Sequence, residues 1–105
     1  MYEGKKVLIV DDSKVERLIL KEILKELKFS IFEAENAVEG IQKANEIKPD
    51  LILMDVVMPG MNGFQATRQI TSNESMKNIP VIMCLQKIKQ QIKFGDNAKV
   101  QKLIL

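Results

Sequence analysis

The chain has no histidine and no tryptophan, one cysteine, one tyrosine and four phenylalanines. Each shortage excludes something. Without histidine there is no Ser-His-Asp or Cys-His catalysis and no histidine-ligated zinc. With Cys84 alone there is no internal disulfide and no cysteine metal site, which suits a reducing compartment. With so few aromatics, the core must be built from Ile, Leu, Val and Met. No uncharged run approaches the roughly 20 apolar residues of a membrane span. The opening Met1–Gly4 carries no signal-peptide pattern. The expectation is a cytoplasmic protein with no membrane partner.

The sequence does contain 105 residues, 46% of them hydrophobic. That length suits a single domain over residues 1–105. A net charge of +2 gives no reason to expect a nucleic-acid partner. The charge is uneven: residues 1–84 hold 11 basic and 13 acidic side chains, residues 85–105 five Lys and one Asp. Residues 86–105 therefore read as a divergent tail.

Lys6 to Asp12 reads K-V-L-I-V-D-D, an unbroken apolar run that stops at two aspartates. Such a run fits a strand buried on both faces, as in parallel sheets. Ser13 with Glu16 reads as a capping box. Val15, Leu18, Ile19, Ile23 and Leu27 then mark a helix. Phe29 to Ala34 is a short strand. Asn36 with Glu39 caps a second helix, marked by Val38, Ile41, Ala44 and Ile47 and ended by Pro49. Leu51 to Asp55, L-I-L-M-D, is a buried strand that again ends in aspartate. Pro59-Gly60 and Asn62-Gly63 are loop signals. Phe64, Thr67 and Ile70 mark a third helix, and Ile79 to Leu85 a fourth strand. Met54 and Met83 fall within strand patterns, so they read as core. In the tail, Leu85, Ile88 and Ile92 suit a short helix closed at Gly95, and Ala98 to Leu105 a fifth strand.

This alternation predicts an α/β fold: a flavodoxin-like doubly wound parallel sheet, strand order 2-1-3-4-5, lacking the final helix. In that order strands 1 and 3 are neighbours at the switch point, so Asp11, Asp12 and Asp55 converge at their C-terminal ends. Aspartate is common at strand ends and turns, but three on adjacent strands form a charged pocket. Their repulsion is relieved by protonation or by a cation. Oxygen ligands suit Mg²⁺, and a carboxylate beside Mg²⁺ can attack phosphorus.

These residues closely resemble the receiver domain of two-component response regulators over residues 5–84. V-L-I-V-D-D-S, P-D-L-I-L-M-D, M-P-G-M-N-G-F and I-P-V-I-M carry the resemblance. The A-T-R-Q-I stretch looks most like single-domain receivers of pilus-based motility and taxis systems. The resemblance implies that Asp55 is the phosphoacceptor. It implies that Asp12, Asp55 and the main-chain carbonyl of Val57 hold Mg²⁺, with Asp11 acting mainly through a metal-bound water. The implied donor is a phosphohistidine on a partner histidine kinase or phosphotransfer protein, and the chain itself would not be an enzyme in the ordinary sense.

The family's Ser or Thr after strand 4 falls on Leu85. Its Lys after strand 5 has no counterpart in register, with Lys87 and Lys102 as possible substitutes. An alternative is therefore an impaired pseudo-receiver that binds a partner without a phosphorylation switch. A small Mg²⁺-dependent phosphohydrolase is a third reading. The uncovered sheet face left by a missing helix suggests self-association through Ile88, Ile92 and Leu103–Leu105.

Overall fold

In the computed structural model, residues 2–84 are described. The expectations for the tail, including the fifth strand, the helix closed at Gly95, the replacements Leu85, Lys87 and Lys102, and the self-associating residues, lie outside them.

The described elements alternate: β1 (Lys6–Val10), α1 (Lys14–Glu26), β2 (Ser30–Ala34), α2 (Ala37–Ile47), β3 (Leu51–Asp55), α3 (Gly63–Ser72) and β4 (Val81–Cys84). The strands form one sheet in the order β2-β1-β3-β4, every pair parallel. This is the flavodoxin-like doubly wound arrangement. Among the described residues, no helix is long and apolar enough to cross a membrane.

The sheet separates two apolar layers, as the two-residue period of a strand dictates. Leu8, Val10, Ile52 and Met54 face α2 and α3 and pack with Ala44, Ala66 and Ile70. Val7, Ile9 and Leu53 face α1 and pack on Leu20 and Leu24. Both faces of β1 are thus buried, which explains its unbroken apolar run. Met54, Met58 and Met76 are in the core and Met83 packs against it. Asp50 pins the entry to β3: its carboxylate accepts from the Lys6 N–H at 2.8 Å, and its own N–H donates to the Lys6 carbonyl at 2.8 Å.

The helix starts follow their capping residues. Ser13 Oγ accepts from the Glu16 N–H at 3.3 Å, and Asn36 Oδ1 from the Glu39 N–H at 2.8 Å. Glu39 reaches back one residue past the cap, to the Glu35 N–H at 2.7 Å. The reciprocal capping box with both arms closed is at α3, between Asn62 and Gln65.

The helix faces differ from the sequence expectation. Val15, Leu18 and Leu27 of the expected α1 stripe are exposed, as are Val38 and Phe64. The α1 seam is Glu16, Arg17, Leu20 and Leu24, with Ile19 and Ile23 half-buried beside it. On α2 the buried positions are Ala37, Gly40 and Ala44. The reason there is close approach: a Cβ on Gly40 would stand 2.8 Å from both Val10 methyls. A face of small residues lets α2 lie nearly on the strand, and the larger Val38 is turned outward. β4 also starts later than expected, at Val81 after Pro80.

Candidate metal centre

Parallel strands present all their C-terminal ends at one rim of the sheet. Val10 pairs with Met54 in the β1–β3 register, so the next residues, Asp11 and Asp55, stand side by side. Asp12 follows directly. One carboxylate oxygen from each of Asp11, Asp12 and Asp55 can be chosen so that all three lie within 4.8 Å of one another. The structure thus brings together the three residues that the sequence expected to converge.

The three differ in setting. Asp11 and Asp55 are 3% and 1% exposed, whereas Asp12 is open to solvent. Asp11 Oδ1 accepts from the Ser13 N–H at 2.9 Å, the short loop that hands the chain from β1 to the N-cap of α1. Asp55 Oδ1 accepts from the Val57 N–H at 3.3 Å. Val57 therefore lies in the loop after β3, half exposed and two residues from the acceptor carboxylate. An open groove lined by Asp12, Glu35, Asn36, Pro59, Gly60 and Met61 borders the site. Gly60 turns this loop with φ +77°, a conformation that glycine adopts without cost.

The donor set suits a hard divalent cation. All three side-chain donors are carboxylate oxygens, with no sulfur or imidazole among them. Mg²⁺ takes oxygen ligands at 2.0–2.1 Å and keeps several waters. Two buried carboxylates fix the inner wall, and the exposed Asp12 side leaves room for water or a phosphoryl oxygen. The cluster is thus positioned to coordinate such a cation, which would offset the mutual repulsion of the carboxylates.

Residues that the sequence reading passed over hold this rim in place. Arg17 Nη1 donates to the Asp11 carbonyl at 2.7 Å, and Arg17 Nε meets Glu33 Oε1 at 3.0 Å. Lys21 pairs with the other Glu33 oxygen at 3.0 Å, and Lys43 donates to the Glu33 carbonyl. Arg17 falls on no motif, and its charge argues for solvent, so no pattern in the sequence marks it. Gly63 was legible only as a loop residue. In the structure its N–H donates to the Val56 carbonyl at 3.0 Å, drawing the start of α3 against the end of β3.

Comparison with known proteins agrees with this geometry. The model of the response regulator receiver domain matches residues 7–102. Protein PilH of Pseudomonas aeruginosa is 46% identical over 82 residues, which covers 78% of this chain and 68% of that protein. A chemotaxis protein CheY from Halobacterium salinarum is 41% identical over 105 residues, covering 94% and 85%. Among solved structures, Vibrio cholerae CheY4 crystallised at low pH superposes with a TM-score of 0.74 at 26% identity, covering 96% of each chain. The receiver domain of the P. aeruginosa sensor histidine kinase PA1611, with a magnesium ion coordinated in its active-site cleft, gives 0.73 at 28% identity. That match covers 76% of this chain and 66% of the magnesium-bound domain, so the chain spans about two-thirds of its length.

Proposed function

This chain belongs to the response regulator receiver domain family, and on that premise we propose that it accepts a phosphoryl group on Asp55 in two-component signal transduction. The observation that carries the reading is the triad itself: Asp55 is buried at the end of β3, with oxygens of Asp11 and Asp12 within 4.8 Å.

The donor is a phosphohistidine on a partner histidine kinase or phosphotransfer protein. An Asp55 carboxylate oxygen attacks phosphorus, the P–N bond breaks, and the bonding pair leaves with the imidazole. An acyl phosphate results, and water later cleaves it at phosphorus. Asp12, Asp55 and the Val57 carbonyl would hold Mg²⁺, with Asp11 acting through water; the ion supplies charge neutralisation for the phosphoryl oxygens. The chain's own contribution is orientation. The Val57 N–H fixes one Asp55 oxygen, and the exposed Asp12 side admits the donor. The chain is thus a signalling module, working in the cytoplasm, where ATP-dependent kinases recharge the donor.

Leu85 favours a second reading. It directly follows β4, where the resemblance calls for a hydroxyl. A receiver without that hydroxyl would bind its partner with little or no phosphorylation switch.

Incubation with Mg²⁺ and acetyl phosphate, followed by intact mass, tests both. One added phosphoryl group, absent in Asp55→Asn, supports the first reading. Mg²⁺ binding with no adduct supports the second. Steady turnover of the phosphodonor without an adduct supports a phosphohydrolase and overturns both.

A further inference from the structure

We propose that Arg17, anchored by Glu33, is a positioning residue of the metal centre; this rests on the receiver reading above. Arg17 is 7% exposed and lies in the first turns of α1; among the described residues, it and Glu16 are the buried charged residues outside the triad. Burying a guanidinium is costly unless its donors are matched. Its matches converge on one place: the Asp11 carbonyl at 2.7 Å, Glu33 Oε1 at 3.0 Å and, more distantly, Glu35 Oε1 at 3.9 Å.

The peptide unit is planar, so the Asp11 carbonyl and the Asp12 N–H move together. Holding that carbonyl sets ψ of Asp11 and fixes the peptide plane from which Asp12 departs, so both carboxylates start from a held stretch of backbone. The other side of Asp11 is also tied to β2, since its N–H donates to the Ala34 carbonyl at 3.1 Å. A closed circuit results, running from Asp11 to Ala34, back one residue to Glu33, across to Arg17 and home to Asp11. Charge balance fits the role. Arg17 and Lys21 are matched by Glu33 and Glu35, a set without net charge, so the anchor does not cancel the negative field of the triad. Lysine could not replace arginine here, because one ammonium lacks the planar fork that spans a carbonyl and a carboxylate.

The test is Mg²⁺ affinity by calorimetry, together with the Asp12 amide resonance and melting in chelator, for wild type, Arg17→Lys, Arg17→Met, Glu33→Gln and Lys21→Met. Partners that orient ligating groups typically cost 10–100-fold in affinity when lost. Arg17→Lys is expected to bind Mg²⁺ about 10-fold more weakly and to shift the Asp12 amide before metal is added. Arg17→Met separates geometry from charge: simple removal of a cation tightens Mg²⁺, whereas lost positioning weakens it. Lys21→Met breaks the solvent-facing ion pair on the same Glu33 carboxylate and is expected to leave affinity at the wild-type value. Should the Arg17 variants fail to fold, Glu33→Gln carries the measurement through the Asp12 amide, which is expected to shift before metal is added while Lys21→Met leaves it in place; an unmoved Asp12 amide in Glu33→Gln overturns the inference. Unchanged affinity in folded Arg17→Lys, or tighter binding in Arg17→Met, overturns the inference while leaving the receiver reading standing. A wild-type chain that neither binds Mg²⁺ nor takes up phosphoryl overturns both.

Discussion

Gly63 stands against Asp55 so closely that a Cβ on the glycine would lie 2.1 Å from the Asp55 carbonyl oxygen. That oxygen belongs to backbone at the end of a central strand and cannot swing aside. The first turn of α3 is thereby seated on the residue proposed to take the phosphoryl group. Gly63→Ala is expected to destabilise the fold by about 3 kcal/mol, the upper part of the usual overpacking range. Urea unfolding measures this. Because the strain falls on Asp55, Mg²⁺ affinity of the folded variant should drop as well. A variant of near wild-type stability would mean that α3 can slide without cost.

The seam of α1 gives a second expectation. Leu20→Ala and Leu24→Ala remove side chains buried against Val7, Ile9 and Leu53, and each should cost about 2–5 kcal/mol. Val15→Ala and Leu18→Ala, at positions 61% and 54% exposed, should stay within about 0.5 kcal/mol of wild type. Equal losses at all four positions, measured by urea unfolding, would place the seam elsewhere.

That contrast shows what the sequence could and could not tell. β1 and β3 were legible because a strand buried on both faces has no alternative to an apolar run, and their terminal aspartates break that run visibly. The acidic site followed, since topology alone brings the two ends together. The helix faces were less legible. Counting apolar residues cannot place Arg17 inside, because its burial depends on a carbonyl at Asp11 and a carboxylate at Glu33 from different elements. Ala44 of the expected α2 stripe is buried, but the pattern cannot prefer Ala37 and Gly40 over Val38, because the advantage of small residues appears only once Val10 lies beneath them.

Acidification offers a third expectation. Burial pushes the Glu33 carboxyl upward, but Lys21 and Arg17 together outweigh it and hold it below its ordinary value of 4.5. Glu39 is also lowered, first by its bond from the Glu35 N–H, against some burial, and further by Lys43. Both groups bind fewer protons folded than unfolded, so both stabilise the fold above pH 4.5 and lose that contribution as pH falls through their lower folded values. Glu33→Gln should therefore flatten the acid limb of the stability curve below pH 4.5. At neutral pH it should cost only about 1 kcal/mol, since the pair is partly solvated. An unchanged acid limb in the variant would show that Glu33 does not titrate differently in the two states.

Metal removal gives a fourth. At a hundredfold excess over Kd, Mg²⁺ should add about 2.7 kcal/mol to stability. Thermal melting in chelator and in Mg²⁺ reads this directly. Asp12→Ala is expected to raise stability in chelator, through relief of repulsion, and to abolish the response to Mg²⁺. If wild-type melting is the same in both conditions, the triad is not a metal site.

The pairing of β1 with β3 has a further consequence, for the time at which the site comes into being. β1, α1 and β2 are contiguous, so the Arg17–Glu33 brace needs nothing beyond residue 34 to close. The triad needs Asp55, and so awaits a crossover that must bring β3 to the opposite edge of β1. Loop closure over that span is slow relative to local pairing. The brace thus has the shorter span to close, and a cation finds no complete site until the third strand docks. If β3 docks after the folding barrier, Mg²⁺ acts as a lock and not a template: it slows unfolding while leaving the folding rate almost unchanged.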